Sequence, residues 1–297
     1  MPIPEDQLET WSRPGSRTQS AETYQTFRRA LEHEDSPYSS KQFEVFLQGS
    51  YGNHTNVWRD SDVDIVIRLD SSFQHGLELL GEAQKAAFHA AHSDATYGYR
   101  DFKGDVLTWL RVNFGSDVEP GSKAITIKAR NNRREADVLP CSTYRHYLPS
   151  SSGVDDKYVE GISFYRSDGT RIVNFPAQHA ANCTTKHGET NEWFKPMVRV
   201  LKNIRNRMVE DNIIRDGLAP SYFLEGMLWN APNNLYGRTF SETFVQCISW
   251  IGAQNRGNFM CANGIHWLLR DDSPTSWNAA DCNAFLRELA NFWSNWR

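Results

Sequence analysis

The stretch FEVFLQGSYGNHTNVWRDSDVDIVIR, residues 43–68, decides how the rest of the chain is read. It opens on an apolar run, 43–47, that reads as a buried strand. Gly49-Ser50 breaks that strand. Asp62 follows twelve residues after Ser50, then Asp64, with Ile65-Val66-Ile67 directly behind. Side chains at i and i+2 of a strand share a face. Asp62 and Asp64 therefore project together, while Val63 and Ile65 turn into a core. Two adjacent carboxylates repel each other, and burying them unpaired costs several kcal/mol. Divalent cations between them relieve that cost. Mg²⁺ takes hard oxygen ligands, typically one or two carboxylates plus substrate phosphates.

Gly-Ser followed at this spacing by Asp-x-Asp in a strand resembles the signature of the DNA polymerase β-like nucleotidyltransferases. The longer run QGSYGNHTNVWRDSDVDIV, residues 48–66, more closely resembles the bacterial relatives of cyclic GMP–AMP synthase, the CD-NTases of anti-phage defence. The resemblance implies that Gln48, Gly49 and Ser50 meet the tail of a nucleoside triphosphate and that Asp62 and Asp64 bind two metal ions. A bare Asp-x-Asp beside a glycine turn is usually only an acidic strand end. The Gly-Ser spacing and the flanking apolar runs separate this stretch from that reading.

A chain of 297 residues, 39% hydrophobic and 12% aromatic, can build one large soluble domain or two smaller lobes. The net charge of −4 argues against a general nucleic-acid coat but leaves room for a local basic cleft. The opening MPIPEDQLETW carries charges and prolines where a signal peptide is apolar. No apolar run approaches the roughly 18 residues that span a membrane. The five cysteines include no CxxC and read as reduced thiols. The expected location is the cytoplasm.

Residues 1–19 read as a loose lead-in. Ser20 caps a helix to about residue 34, with Tyr24, Phe27 and Leu31 on one face. A helix is expected over 76–91, where His89 and His92 share a face. They are either metal ligands near Asp94 or, more simply, solvated. Another short helix is expected over 104–114. From residue 124 the pattern alternates through Ile125, Ile127 and Ala129, turns at Asn131-Asn132, and re-enters a strand at EADVLPC. The resemblance demands a third carboxylate on a strand beside the first two, and Asp137 fits; its plain reading is a strand-edge residue. Residues 158–166 and 171–175 read as two further strands. In the cyclic GMP–AMP synthase family the segment matching the second contacts a nucleobase, usually through Ser. Asn174 stands there, and in members that accept pyrimidines an Asn favours uracil. Asn174 could equally cap the strand before Pro176.

Residues 193–210 read as a helix with Met197, Leu201, Ile204 and Met208 on an apolar face and Lys195, Arg199 and Lys202 on another. Such a basic face is usually solvated; the resemblance instead sets Lys202 against the triphosphate. The next helix, over 217–230, opens with Pro220 and Ser221, and exposed amides at a helix start attract phosphate. The resemblance gives Ser221 a phosphate contact and Tyr222 a base to stack on; core packing is the plain reading of Tyr222. Ser241 caps a further helix, and the last runs over 278–296.

The expected fold is α/β (α+β): a polymerase β-like nucleotidyltransferase core with a mixed twisted sheet, residues 1–185, then a helical lobe, 186–297, with a nucleotide cleft between them. The resemblance implies nucleotidyl transfer with Mg²⁺, Mn²⁺ being an alternative. One ion is held by Asp62, Asp64 and Asp137 and a second by Asp62 and Asp64, about 3.5–4 Å apart. Expected substrates are UTP and ATP, and the expected product is a cyclic dinucleotide, read by a separate effector. No membrane and no stable nucleic-acid partner are expected. A linear nucleotidyltransferase acting on tRNA, an antibiotic or a protein would use the same triad. A catalytically dead nucleotide sensor would have no reason to hold three repelling charges together.

Overall fold

The computed structural model of the chain describes residues 2–15, 18–57, 62–130, 133–150 and 157–296. In chain order the elements are α1 (Glu5–Ser12), α2 (Thr18–Leu31), β1 (Phe43–Leu47), α3 (Gly49–Gly52), β2 (Val63–Gly76), α4 (Glu82–Ala91), α5 (Tyr99–Phe114), β3 (Val118–Pro120), β4 (Ile125–Ile127), β5 (Ala136–Tyr147), β6 (Tyr158–Tyr165), β7 (Arg171–Asn174), α6 (Pro176–Glu189), α7 (Phe194–Glu210), α8 (Ser221–Asn230), α9 (Phe240–Ala253) and α10 (Ala279–Ser294). The fold is the expected mixed α/β class with a helical C-terminal region. No helix among the described residues is long and apolar enough to cross a membrane.

The chain divides into two compact units. The sheet unit holds residues 18–48 and 62–175. The helical unit holds residues 1–17, 49–61 and 176–297. Both are discontinuous, unlike a single division near residue 185. Ile3 and Leu8 pack into the core of the C-terminal helices, and Asn53 and Thr55 bond to their polar side chains.

In the sheet unit, seven described strands form one mixed sheet, with β1-β2-β5-β4-β3 in order and β6 and β7 continuing from the far half of β5. Only β2 and β5 pair in parallel. Strand alternation governs the faces. Val63, Ile65, Ile67 and Leu69 of β2 join Ala136 and Val138 of β5 in a core closed by Phe27 and Leu31 of α2 and by Phe102, Val106 and Leu110 of α5. The intervening residues, Asp64 among them, turn to the opposite face.

Some boundaries differ from the sequence expectations. β2 slips register between Leu69 and Phe73 and runs on to Gly76, so α4 starts only at Glu82. α5 begins at Tyr99, five residues before the expected start. The expected turn at Asn131-Asn132 lies outside the described residues. β4 and β5 on either side of it do pair antiparallel.

In the helical unit the lead-in is not loose. α1 buries Leu8 completely, and the Glu5 carboxylate accepts from the backbone amides of Phe240 and Ser241 at the start of α9. Thr239, not Ser241, is the cap of α9, its side chain accepting from Glu242 N. α7 is the centre of this unit. Phe194, Met197, Val198, Leu201, Ile204 and Met208 are all fully buried in its core. All five cysteines are buried free thiols.

Candidate active site

The carboxylates lie in the sheet unit. Asp64 and Asp137 are register partners on parallel β2 and β5. The pairing carries on across the sheet: Asp137 faces Thr126 of β4, and Thr126 faces Glu119 of β3. One lateral row therefore crosses four strands. Thr126 Oγ1 donates to Asp137 Oδ1 at 2.6 Å, fixing that carboxyl group. Asp62 is exposed immediately before β2. Glu135 takes the equivalent place before β5, and its carbonyl accepts from Val63 N at 3.1 Å.

Glu135 was missed in the sequence. Its carboxyl is pushed above the usual glutamate range, first by burial and then by the charges of Asp62, Asp137 and Glu119. EAD before β5 repeats the i, i+2 spacing of DVD before β2, and that repeat was the available signal.

Gln48 directly follows β1, and its backbone N–H donates to the Asp64 carbonyl at 3.0 Å. Among the described residues the Gln48 Oε1 is buried with no hydrogen-bond partner. The neighbouring carboxylates of Asp64 and Asp137 make an all-oxygen donor set that fits a hard divalent cation. Asn174 ends β7. Its Oδ1 accepts from Phe175 N at 2.9 Å, so it does cap the strand, and this bond fixes which way its amide is turned.

The Gly-Ser turn lies in the helical unit. Gly49 has a φ of 67°, a conformation that glycine adopts without strain. The turn closes on itself: Asn53 N donates to Gly49 O at 3.1 Å and Thr55 N to Ser50 O at 2.9 Å.

The basic face of α7 is neither solvated nor open. Lys202 is 0% exposed, and its ammonium donates to the Thr55 carbonyl at 3.0 Å. The Lys202 side chain, expected to meet the triphosphate, is covered and holds the carbonyl of Thr55, a few residues after Gly49-Ser50. Arg199 donates to the His54 carbonyl at 2.7 Å, and Lys195 to Thr184 Oγ1 at 3.2 Å. The spacing showed one face of the helix but not what covers it.

Ser221 is the first residue of α8, and Pro220 is its cap position. The Ser221 hydroxyl accepts from Arg205 at 3.3 Å. Tyr222 packs one ring face on His179, with centroids 4.8 Å apart, and its hydroxyl accepts from Asn263 Nδ2 at 3.0 Å. It is partly buried against the helical core.

His179, Cys183 and Glu225 place their ligand atoms within 4.8 Å of one another, all buried. That set suits a hard cation poorly. His179 Nε2 already lies 2.7 Å from Glu225 Oε2, a hydrogen bond rather than a gap for an ion. Burial pushes the Cys183 thiol up, away from the thiolate a metal needs. Burial alone would raise Glu225 too. The hydrogen bond and charge of His179, the charge of Lys202 and the Thr55 hydroxyl together hold it below the usual range. His92 stacks on Phe88, with centroids 4.2 Å apart, instead of joining His89 around a metal.

The model of the cGAS/DncV-like nucleotidyltransferase C-terminal helical domain matches residues 181–294. The cyclic UMP-AMP synthase of Rhodothermus marinus is 40% identical over 298 residues, covering 100% of this chain and 99% of that protein. The cyclic dipurine nucleotide synthase of Elizabethkingia meningoseptica is 33% identical over 98% of this chain and 99% of its own. The solved structure of the Rhodothermus marinus CdnE c-UMP-AMP synthase with Apcpp and Upnpp superposes with a TM-score of 0.88 at 37% identity, covering 99% of this chain and 98% of that one. By sequence over its whole length, and by fold, the chain belongs to the CD-NTases, the bacterial cGAS/DncV-like nucleotidyltransferases.

Proposed function

We propose that the chain joins two ribonucleoside triphosphates into a uridine-containing cyclic dinucleotide, releasing pyrophosphate, and that the product is a cytoplasmic anti-phage signal read by a separate effector. The observation that carries this reading is the Asp64–Asp137 register pair in a row of sheet carboxylates. Whole-length similarity to a cyclic UMP-AMP synthase supports the product class. The relatives divide over the base, since cyclic dipurine and cyclic dipyrimidine synthases are 33% and 31% identical. Uridine therefore rests on Asn174 together with the relative at 40%.

Asp62, Asp64 and Asp137 would hold two Mg²⁺ ions, or Mn²⁺. Divalent cations bound there lower the pKa of an attacking ribose hydroxyl and neutralise the charge on the triphosphate and leaving pyrophosphate. Thr126 keeps the Asp137 carboxyl oriented by its hydroxyl bond. Gly49 and Ser50 take the phosphates, with Ser221 as a second hydroxyl. Asn174, turned by its bond to Phe175 N, offers its amide to a uracil carbonyl. Tyr222 would stack on a base. No protein nucleophile is required, because positioning and charge stabilisation supply the rate.

Mass spectrometry of products made from all four ribonucleoside triphosphates with Mg²⁺ tests the reading. A phosphatase-resistant product containing uridine is expected. A phosphatase-sensitive product overturns the cyclase, and no nucleotide product with any metal overturns the enzyme.

A further inference from the structure

Within the helical unit, charged and polar side chains from three helices converge on residues 53–55, the segment that completes the Gly49-Ser50 turn. Glu225 of α8 is 3% exposed, and both its oxygens are used. Oε1 accepts from Thr55 Oγ1 at 2.5 Å, and Oε2 from Asn53 Nδ2 at 3.1 Å. His179 of α6, itself 3% exposed, donates through Nε2 to the same Oε2 at 2.7 Å. Lys202 and Arg199 of α7 take the carbonyls of Thr55 and His54. His54, between the two anchored residues, has a φ of 58°. A left-handed non-glycine residue persists only where its surroundings over-determine it.

Packing does not ask for this arrangement. α8 is already seated by Leu224, Met227 and Leu228, and α7 by its apolar face. Burying a carboxylate and an ammonium costs several kcal/mol per ion before their bonds are counted. Four of those bonds, from Glu225, Lys202 and Arg199, act on residues 53–55, which follow Gly49-Ser50.

We propose that Glu225, oriented by His179 and balanced in charge by Lys202, is a positioning residue that holds Gly49-Ser50 in its triphosphate-binding shape. The inference rests on the reading of that turn as the phosphate site. Glu225 touches no substrate; it acts through Thr55 and Asn53. Its contribution therefore appears only for ligands long enough to reach the turn with a phosphate tail.

The test compares affinity of the full-length protein for non-hydrolysable ATP and UTP analogues with its affinity for AMP and UMP. Thr55→Val deletes only the hydroxyl that Glu225 accepts from. Glu225→Gln removes the charge and, with its amide toward Thr55, no longer accepts from that hydroxyl. Each should weaken triphosphate binding about tenfold and leave monophosphate binding unchanged within roughly twofold. Thr55→Ser, which keeps the hydroxyl, should restore most of the loss. If triphosphate and monophosphate affinities fall together, or neither falls in a folded variant, the network only supports the fold and the proposal is overturned. Should Glu225→Gln fail to fold, Thr55→Val carries the same comparison. A wild-type protein with no preference for triphosphate over monophosphate would instead remove the phosphate role of the turn.

Discussion

Asp64 and Asp137 face each other as register partners on the parallel strand pair β2 and β5, about 4.8 Å apart by strand spacing. Like charges at that spacing destabilise the ion-free protein and are stabilised by a cation. Asp64→Asn should therefore raise the melting temperature without metal and abolish the rise that Mg²⁺ gives the wild type. Product formation should fall at least about a hundredfold, because the lost metal contact acts on transition-state charge. Paired melts and turnover assays check both; wild-type turnover in the variant would remove Asp64 from the site.

Glu135 gives a pH signature. Its carboxyl is raised by burial and by Asp62, Asp137 and Glu119. A group with a raised folded pKa contributes stability below its unfolded value and loses it as pH rises through the folded one. Glu135→Gln should thus stabilise the metal-free protein at neutral pH, and the gain should vanish as pH falls below the ordinary value of 4.5. Urea midpoints across that range would show it. A gain that persists in acid would mean that charge is not the cause.

Lys202→Met keeps the buried stem and deletes the ammonium. It leaves the Thr55 carbonyl without that donor and Glu225 without a compensating charge. A cost of roughly 1.5–3 kcal/mol in unfolding free energy is expected, typical of a hydrogen bond to a charged group. Chemical denaturation measures it; an unchanged midpoint would show that the buried charge is redundant.

Asn174 is the residue we propose to set the base. Asn174→Ser removes the oriented amide and should shift incorporation from uridine toward purines, by a factor equivalent to about 1–3 kcal/mol. Single-label incubations of wild type and variant read this directly. Purine-only product from the wild type would take the role away from Asn174.

The two strand faces were legible because period two leaves no freedom: once Val63 and Ile65 are core, Asp64 cannot be. The parallel pairing of Asp64 with Asp137 was not legible, since it depends on a crossover through residues 77–135. Lys202 shows a different limit. Helical spacing marks it as off the Met197–Leu201–Ile204 face, but says nothing of what else covers α7. What covers it is residues 53–55, a segment that reads in sequence as part of the strand-turn-strand region and packs elsewhere.

That allegiance has a consequence for synthesis. Residues 53–55 emerge from the ribosome roughly 150 residues ahead of the side chains that hold them, Lys202 and Glu225. At about 5–20 residues per second the turn waits on the order of ten seconds for its anchors. A later-made stretch of chain thus completes an earlier one. A fragment ending at residue 185 should leave the amides of residues 53–55 open to hydrogen exchange, while the intact chain protects the Thr55 amide.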